Sequence, residues 1–124
     1  MNILIVEDDV FFQKFYSQKL QEAGFTVNIA PDGDVAIDIA REVKPDLIIL
    51  DIIMPKKDGF EVLEDISKDQ ELSKIPILVF STLGQDEDVQ RAIKLGAVGY
   101  INKTFFDFGN LKGKIEAAIK AKKT

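Results

Sequence analysis

The hydrophobic pattern of the chain alternates between short apolar runs and longer segments with apolar residues at helical spacing. The runs cover residues 3–6, 26–30, 47–50, 77–80 and 98–101. Strands that alternate with amphipathic helices predict a parallel sheet covered on both faces. The first, third and fourth runs are apolar throughout, which is typical of strands buried on two sides. The pattern predicts an open, doubly wound α/β domain, since a closed barrel of eight units needs about twice this length.

The segments between and after the runs show the periodicity of five helices. Their apolar positions are Phe12, Tyr16 and Leu20; Ala36, Ile39, Ala40 and Val43; Phe60, Leu63 and Ile66; Val89, Ala92 and Ile93; and Leu111, Ile115, Ala118 and Ile119. We interpret Asp9 as a cap of the first helix, and Asp32 or Asp34 as the cap of the second. The polar segment 68–74 is predicted to be a surface loop.

The composition limits the kinds of site that this sequence can carry. Its 124 residues are 46% hydrophobic and 30% charged, which predicts one globular domain over residues 1–124. Cysteine and histidine are both absent, which excludes thiolate and imidazole metal ligands and a Ser–His or Cys–His triad. Any metal is therefore expected to be a hard cation held by oxygen.

Charge and hydropathy bear on partners and location. A net charge of −5 argues against nucleic acid as the main partner. Five late lysines are interpreted as the solvated face and end of the last helix: Lys112, Lys114, Lys120, Lys122 and Lys123. No apolar run is long enough for a membrane span, and the first residues lack the pattern of a signal peptide. We expect a cytoplasmic protein.

Polar side chains follow four of the predicted strands. The first strand is followed by Glu7-Asp8-Asp9, the third by Asp51, the fourth by Ser81-Thr82 and the fifth by Lys103. In an open parallel sheet, ligands bind at the carboxyl ends of the strands, so these groups are expected to converge. Neighbouring carboxylates repel one another unless a cation lies among them, and Mg2+ suits such oxygen ligands. A carboxylate can also act as a nucleophile toward phosphorus.

Each of these residues also has a simpler structural explanation. An acid after a strand often caps the next helix, Ser81 is compatible with a turn, and Lys103 with a solvated charge. Tyr100 is compatible with core packing. Asp51 is harder to explain as a cap, because apolar residues both precede and follow it. The joint placement at strand ends favours a functional site.

Four segments together resemble the response regulator receiver domain of two-component signalling, over essentially the whole chain. They are residues 3–9, with their acidic end; 51–55 followed by 59–61, the most specific match; 76–81, ending in a hydroxyl residue; and 96–103, with an aromatic residue and a lysine. The resemblance implies a flavodoxin-like five-stranded sheet in the order 2-1-3-4-5, with helices on both faces.

The resemblance also implies roles for individual residues. Asp51 would accept the phosphoryl group, and Lys103 and Ser81 would contact its oxygens. Mg2+, or Mn2+, would be held by Asp51, by Asp8 directly, by Glu7 through water, and by the backbone carbonyl of Ile53.

A signalling switch, rather than an enzyme with an external substrate, is the implied function, although the domain would catalyse its own phosphorylation and dephosphorylation. The donor would be a sensor histidine kinase or a histidine phosphotransfer protein. The aromatic switch would be Tyr100, turning inward as Ser81 moves toward the phosphate. A downstream protein would bind the face made by helix four, strand five and helix five, with the domain a monomer or weak dimer and no direct contact with nucleic acid or membrane.

The sequence departs from the family pattern near the site. Thr104 follows Lys103 where the family usually has proline with a cis peptide bond, so the resemblance does not predict the geometry of the loop over residues 103–106. Thr82 stands where a smaller residue is common and is expected to narrow access. Ile53 and Leu83 stand where polar side chains often position hydrolytic water, so we expect slow self-dephosphorylation.

Three other functions are compatible with parts of the pattern. A flavodoxin-like cofactor binder would need a phosphate-cradling loop where this chain has Glu7-Asp8-Asp9. An aspartyl phosphatase usually has a second acid two residues after the nucleophile, where this chain has Ile53. A degenerate receiver used only for binding would not retain the acids, hydroxyl and lysine.

Helix one and the domain's context lead to two further expectations. Helix one carries Phe11, Phe12 and Phe15, which is more aromatic surface than its core packing needs. Phe11 is therefore a candidate contact for the phosphoryl donor. Core packing is the simpler explanation for two of the three rings.

A chain of this length leaves no room for an output domain. Both a stand-alone regulator and a receiver excised from a longer protein fit this.

Overall fold

In a computed structural model that describes residues 1–104 and 108–123, five parallel strands form one sheet with helices on both faces. The strands are β1 (Asn2–Val6), β2 (Thr26–Ala30), β3 (Leu47–Leu50), β4 (Ile77–Ser81) and β5 (Gly99–Asn102). The helices are α1 (Val10–Glu22), α2 (Gly33–Val43), α3 (Gly59–Ser67), α4 (Asp86–Lys94) and α5 (Leu111–Lys123). The sheet order β2-β1-β3-β4-β5 confirms the predicted fold.

The register of the sheet aligns the carboxyl ends of its central strands. Val6 pairs with Ala30 on one side and Leu50 on the other, and Leu50 pairs with Val79. Two buried clusters, one on each face of the sheet, pack the strands against the helices. Alternate residues of each central strand enter opposite clusters, as Leu4 and Ile5 do, which explains why these strands are apolar throughout.

Aspartate caps begin three of the helices. The side chain of Asp9 accepts a hydrogen bond from the N–H of Phe12, and Asp58 accepts one from Glu61. Asp32 rather than Asp34 caps α2, through the N–H groups of Asp34 and Val35. The predicted cap at Asp9 is therefore confirmed, and Asp32 is the cap among the two candidates for α2.

The segment 68–74 is not a simple surface loop, and that prediction was wrong in part. It contains a 3-10 helix, Leu72–Lys74, and Leu72 is buried in the core. Asp69 organises this turn, because its side chain accepts hydrogen bonds from the N–H groups of Glu71 and Leu72. Leu72 alone anchors the segment in the core. The prediction missed this because it relied on the polar character of the segment as a whole.

The loop that departs from the family pattern is described only at its start. Lys103 and Thr104 form a turn after β5 and are joined by a trans peptide bond, while residues 105 and 106 of the predicted 103–106 loop lie outside the described residues. In the described ranges, no helix combines the length and apolar character that a membrane crossing needs.

Candidate functional site

The polar residues that follow the strands meet at the carboxyl edge of the sheet. Glu7 follows β1, Asp51 follows β3, Ser81 ends β4 and Lys103 follows β5. Backbone hydrogen bonds continue the ladder into this edge: the N–H of Asp51 donates to Val6, and that of Lys103 donates to Ser81, both at 3.0 Å. The sheet therefore holds the backbone that carries these side chains.

Three carboxylates form a compact group at this edge. One oxygen from each of Glu7, Asp8 and Asp51 lies within 4.8 Å of the others. Glu7 and Asp51 are buried, while Asp8 is exposed, so the group opens to solvent on one side. Oxygen donors at this spacing could hold a metal ion, and hard divalent cations prefer such donors.

Lys103 lies against two of these acids. Its Nζ donates to Oε1 of Glu7 at 2.6 Å and to Oδ2 of Asp51 at 3.2 Å. The three side chains are between 2% and 7% exposed, so the ammonium and both carboxylates are almost fully withdrawn from water. Buried charges need partners, and here the lysine supplies one positive charge to two acids.

The pKa of Glu7 reflects its burial and the charges beside it. Burial raises the pKa of Glu7 to about 7, and the charge on Asp51 adds to this, although the hydrogen bond from Lys103 acts in the opposite direction. The N–H of Asp9 also donates to Oε2 of Glu7, at 3.2 Å. A second cation near these carboxylates would be electrostatically favourable.

Asp51 is held by the backbone that follows it. The N–H of Ile53 donates to Oδ1 of Asp51 at 3.3 Å, while Oδ2 faces Lys103. The Ile53 side chain itself is 51% exposed at this edge. The role of the Ile53 carbonyl as a metal ligand stays a prediction.

A second group links Ser81 with Tyr100. The Ser81 hydroxyl is buried and accepts a hydrogen bond from the N–H of Leu83 at 3.2 Å. The Tyr100 hydroxyl donates to the carbonyl of the same Leu83 at 2.6 Å. One residue of the loop after β4 is therefore bound to both predicted switch residues. Thr82, which lies between Ser81 and Leu83 in the sequence, is exposed.

The aromatic residues of α1 divide between core and surface. Phe12 and Phe15 are half-buried against the core, and Phe11 is 65% exposed with its ring stacked on Phe15. The sequence assigned Phe12 to the core through its spacing with Tyr16 and Leu20. The spacing gave no sign that the Phe12 ring also lies beside the site, where the Lys103 Nζ is 4.3 Å from the ring centroid.

Comparisons with known proteins agree with the observed fold. Residues 3–116 match the family model described as the response regulator receiver domain. The chain is 39% identical over 104 residues to the probable transcriptional regulator ycf29 of Porphyra purpurea, covering 84% of this chain and 50% of that protein. It is 35% identical over 118 residues to the DNA-binding dual master transcriptional regulator RpaA of Synechocystis, covering 95% and 48%. It thus spans about half the length of these curated relatives.

Two chemotaxis proteins and one isolated receiver domain match over most of their length. The chemotaxis protein CheY of Halobacterium salinarum is 33% identical over 103 residues, covering 83% of this chain and 84% of that protein. The solved structure of Vibrio cholerae CheY4 aligns with a TM-score of 0.87 at 30% identity, covering 94% and 97%. The BeF3-activated receiver domain of Klebsiella pneumoniae RstA aligns with a TM-score of 0.88 at 28% identity, covering 97% and 99%.

Proposed function

Since the chain belongs to the response regulator receiver domain family of two-component signalling, we propose that its carboxyl-edge site accepts a phosphoryl group on Asp51. One observation carries this proposal. Asp51 is a buried carboxylate that has a lysine ammonium 3.2 Å away and two further acids within metal-sharing distance. Phosphoryl transfer depends mainly on positioning and charge neutralisation, which these groups are suited to supply.

The residues present fit Mg2+, or Mn2+, as the cofactor. The donor set would be Asp8 directly, Glu7 through water, Asp51, and the carbonyl of Ile53. All of these are oxygen donors, and the exposed position of Asp8 leaves room for the waters that Mg2+ retains. When bound, the ion would neutralise charge on the acids and on the phosphoryl oxygens.

The transfer step requires little chemistry from the protein. A carboxylate oxygen of Asp51 attacks phosphorus, a new P–O bond forms, and the P–N bond of a phosphohistidine donor breaks. The imidazole leaves with the electron pair. The Lys103 ammonium and the Ser81 hydroxyl would bind the equatorial oxygens of the transferred group. This sequence contains no histidine, so the phosphohistidine lies outside it.

The switch would follow from a new donor role for the Ser81 hydroxyl. At present that hydroxyl accepts a hydrogen bond from Leu83, whose carbonyl also holds Tyr100. A phosphoryl group on Asp51 offers new acceptor oxygens, and it would favour the loop arrangement in which Ser81 donates to them. Because Leu83 contacts both residues, the shift would reach Tyr100 and the face formed by α4, β5 and α5. That face would bind the downstream partner. The domain itself would make no direct contact with nucleic acid and would be a monomer or weak dimer.

The phosphoryl donor would be a sensor histidine kinase or a histidine phosphotransfer protein that docks beside α1. Phe11 supports this, because its exposed ring lies on the first turn of that helix, immediately after the acidic segment. Phe11→Ala should slow transfer from a cognate donor while transfer from acetyl phosphate stays unchanged. Equal rates from the cognate donor with and without the ring would end this part of the proposal.

The central test is incubation with Mg2+ and acetyl phosphate, followed by intact mass measurement. We expect a gain of one phosphoryl group that requires the metal and is lost in Asp51→Asn. Asp58→Asn is the matched control, because Asp58 caps α3 and asparagine is an equally good cap. Absence of any gain with acetyl phosphate and with a phosphohistidine donor would refute the assignment of Asp51.

A further inference from the structure

The aromatic ring of Phe12 forms one wall around the side-chain nitrogen of Lys103. Nζ lies 4.3 Å from the ring centroid, within the range of a cation–π contact. The ring has aromatic neighbours, since Tyr16 stacks on it at 5.5 Å and Phe80 meets Tyr16 edge-on at 5.5 Å. Tyr16 and Phe80 are both about 1% exposed, so these neighbours belong to the core.

The three neighbours of the ammonium differ in what else they bind. Glu7 and Asp51 are also members of the carboxylate group that can share a metal ion, and Asp51 is the proposed phosphoryl acceptor. When a metal ion and a phosphoryl group are bound, these two carboxylates would interact with them as well as with Lys103. The face of Phe12 attracts the ammonium through its quadrupole and is a ligand for neither metal nor phosphate.

We propose that Phe12 is a positioning residue for phosphoryl transfer, whose ring face keeps the Lys103 ammonium directed at Asp51 while the carboxylates engage the metal and the phosphoryl group. This inference rests on the proposed function of Asp51. A lysine has a flexible four-carbon stem, so holding its nitrogen in one place carries an entropic cost. A fixed ring beside the nitrogen reduces the number of positions that it can occupy.

The experiment varies the electronics of the ring with little change in its size. Phe12 is replaced by phenylalanine carrying one, two or three ring fluorines, which progressively weaken the attraction of the ring face for a cation. The rate constant of transfer from acetyl phosphate is measured at saturating Mg2+, together with the thermal midpoint of each protein. We expect the logarithm of the rate constant to fall steadily along the series, by about 2- to 30-fold in total, the range of a cation–π contact.

Two controls separate positioning from packing. The same fluorine series at Phe15, whose ring has Lys19 at 5.7 Å, should leave the transfer rate unchanged. The series at Phe12 repeated in Lys103→Met, which has no ammonium, should leave the residual rate unchanged as well. A slope that persists without the lysine would mean that the ring acts through packing, and the inference would fall.

The remaining outcomes are distinguishable. If the unsubstituted protein gains a phosphoryl group and the Phe12 series is flat, the inference is overturned and the proposed function stands. If the unsubstituted protein gains none, both are overturned. Phe12→Leu provides a second measurement: we expect a reduced rate at saturating acetyl phosphate, and an unchanged rate would contradict the inference.

Discussion

Lys103 and Glu7 form the shorter of the two ion pairs that Lys103 makes at the carboxyl edge, with Nζ 2.6 Å from Oε1 and both side chains at most 5% exposed. The lysine nitrogen is thus closer to Glu7 than to Asp51, the proposed phosphoryl acceptor. Any metal that draws Glu7 toward itself would loosen this pair and free the ammonium for Asp51.

The first prediction concerns Lys103→Met in the absence of metal. Removing one partner leaves buried acids uncompensated, and we expect the free energy of unfolding to fall by about 3–5 kcal/mol, as for other broken buried pairs. Urea denaturation in EDTA measures it. Lys114→Met is the control, because Lys114 is exposed on α5 and its loss should change stability by less than about 0.5 kcal/mol. Equal stability of the two variants would contradict the prediction.

The second prediction separates the two exposed acids that follow β1. Asp8 belongs to the carboxylate group, whereas Asp9 caps α1. We expect Asp8→Asn to weaken Mg2+ binding by at least about 10- to 100-fold, because loss of an outer-shell partner alone already weakens metal binding by this much. Asp9→Asn should leave both affinity and stability close to those of the unsubstituted protein, because asparagine caps helices as well as aspartate does.

Calorimetric titration with Mg2+ measures both variants, and chelation with EDTA should lower the thermal midpoint of the unsubstituted protein. Equal weakening by the two substitutions would indicate a general charge effect rather than a ligand role for Asp8.

The third prediction contrasts two glycines. A Cβ at Gly59 would overlap the backbone of Asp51 and Ile52, so Gly59→Ala should lower the free energy of unfolding by about 1–3 kcal/mol or displace the backbone that carries Asp51. Gly113 lies in α5 with open space around the same position, so Gly113→Ala should raise stability by about 0.5–1 kcal/mol. Chemical denaturation measures the free energy of unfolding of both variants. A lower stability of Gly113→Ala would contradict the prediction.

The fourth prediction concerns the lifetime of the phosphorylated protein. The Ile53 side chain is exposed beside Asp51 and offers no hydrogen bond to a hydrolytic water, so phosphate release should be slow. We expect Ile53→Asn to accelerate release by about 2- to 10-fold, which corresponds to one added hydrogen bond. The control is Ile93→Asn, an exposed isoleucine on α4, which should leave the rate unchanged. An unsubstituted phosphoprotein that decays within seconds would argue against this reasoning.

The sequence by itself was sufficient for the five strands, the five α-helices and the sheet edge where the polar side chains meet. Strand and helix periodicities are local properties, and parallel strands bring their carboxyl ends to one edge whatever the details of packing. Asp51, Ser81 and Lys103 could therefore be selected before any contact was known. The 3-10 helix after α3 was missed, because its anchor is a single buried leucine in a polar segment.

Only the tertiary structure decided which of these side chains contact one another and at what distances. Lys103 and Glu7 are 96 positions apart, and nothing local determines that their contact is shorter than the one with Asp51. The same holds for the Phe12 ring beside the lysine and for Leu83 between Ser81 and Tyr100. Such contacts depend on the register of the sheet, on the position of α1 against it and on the rotamers that packing permits. These are properties of the whole fold.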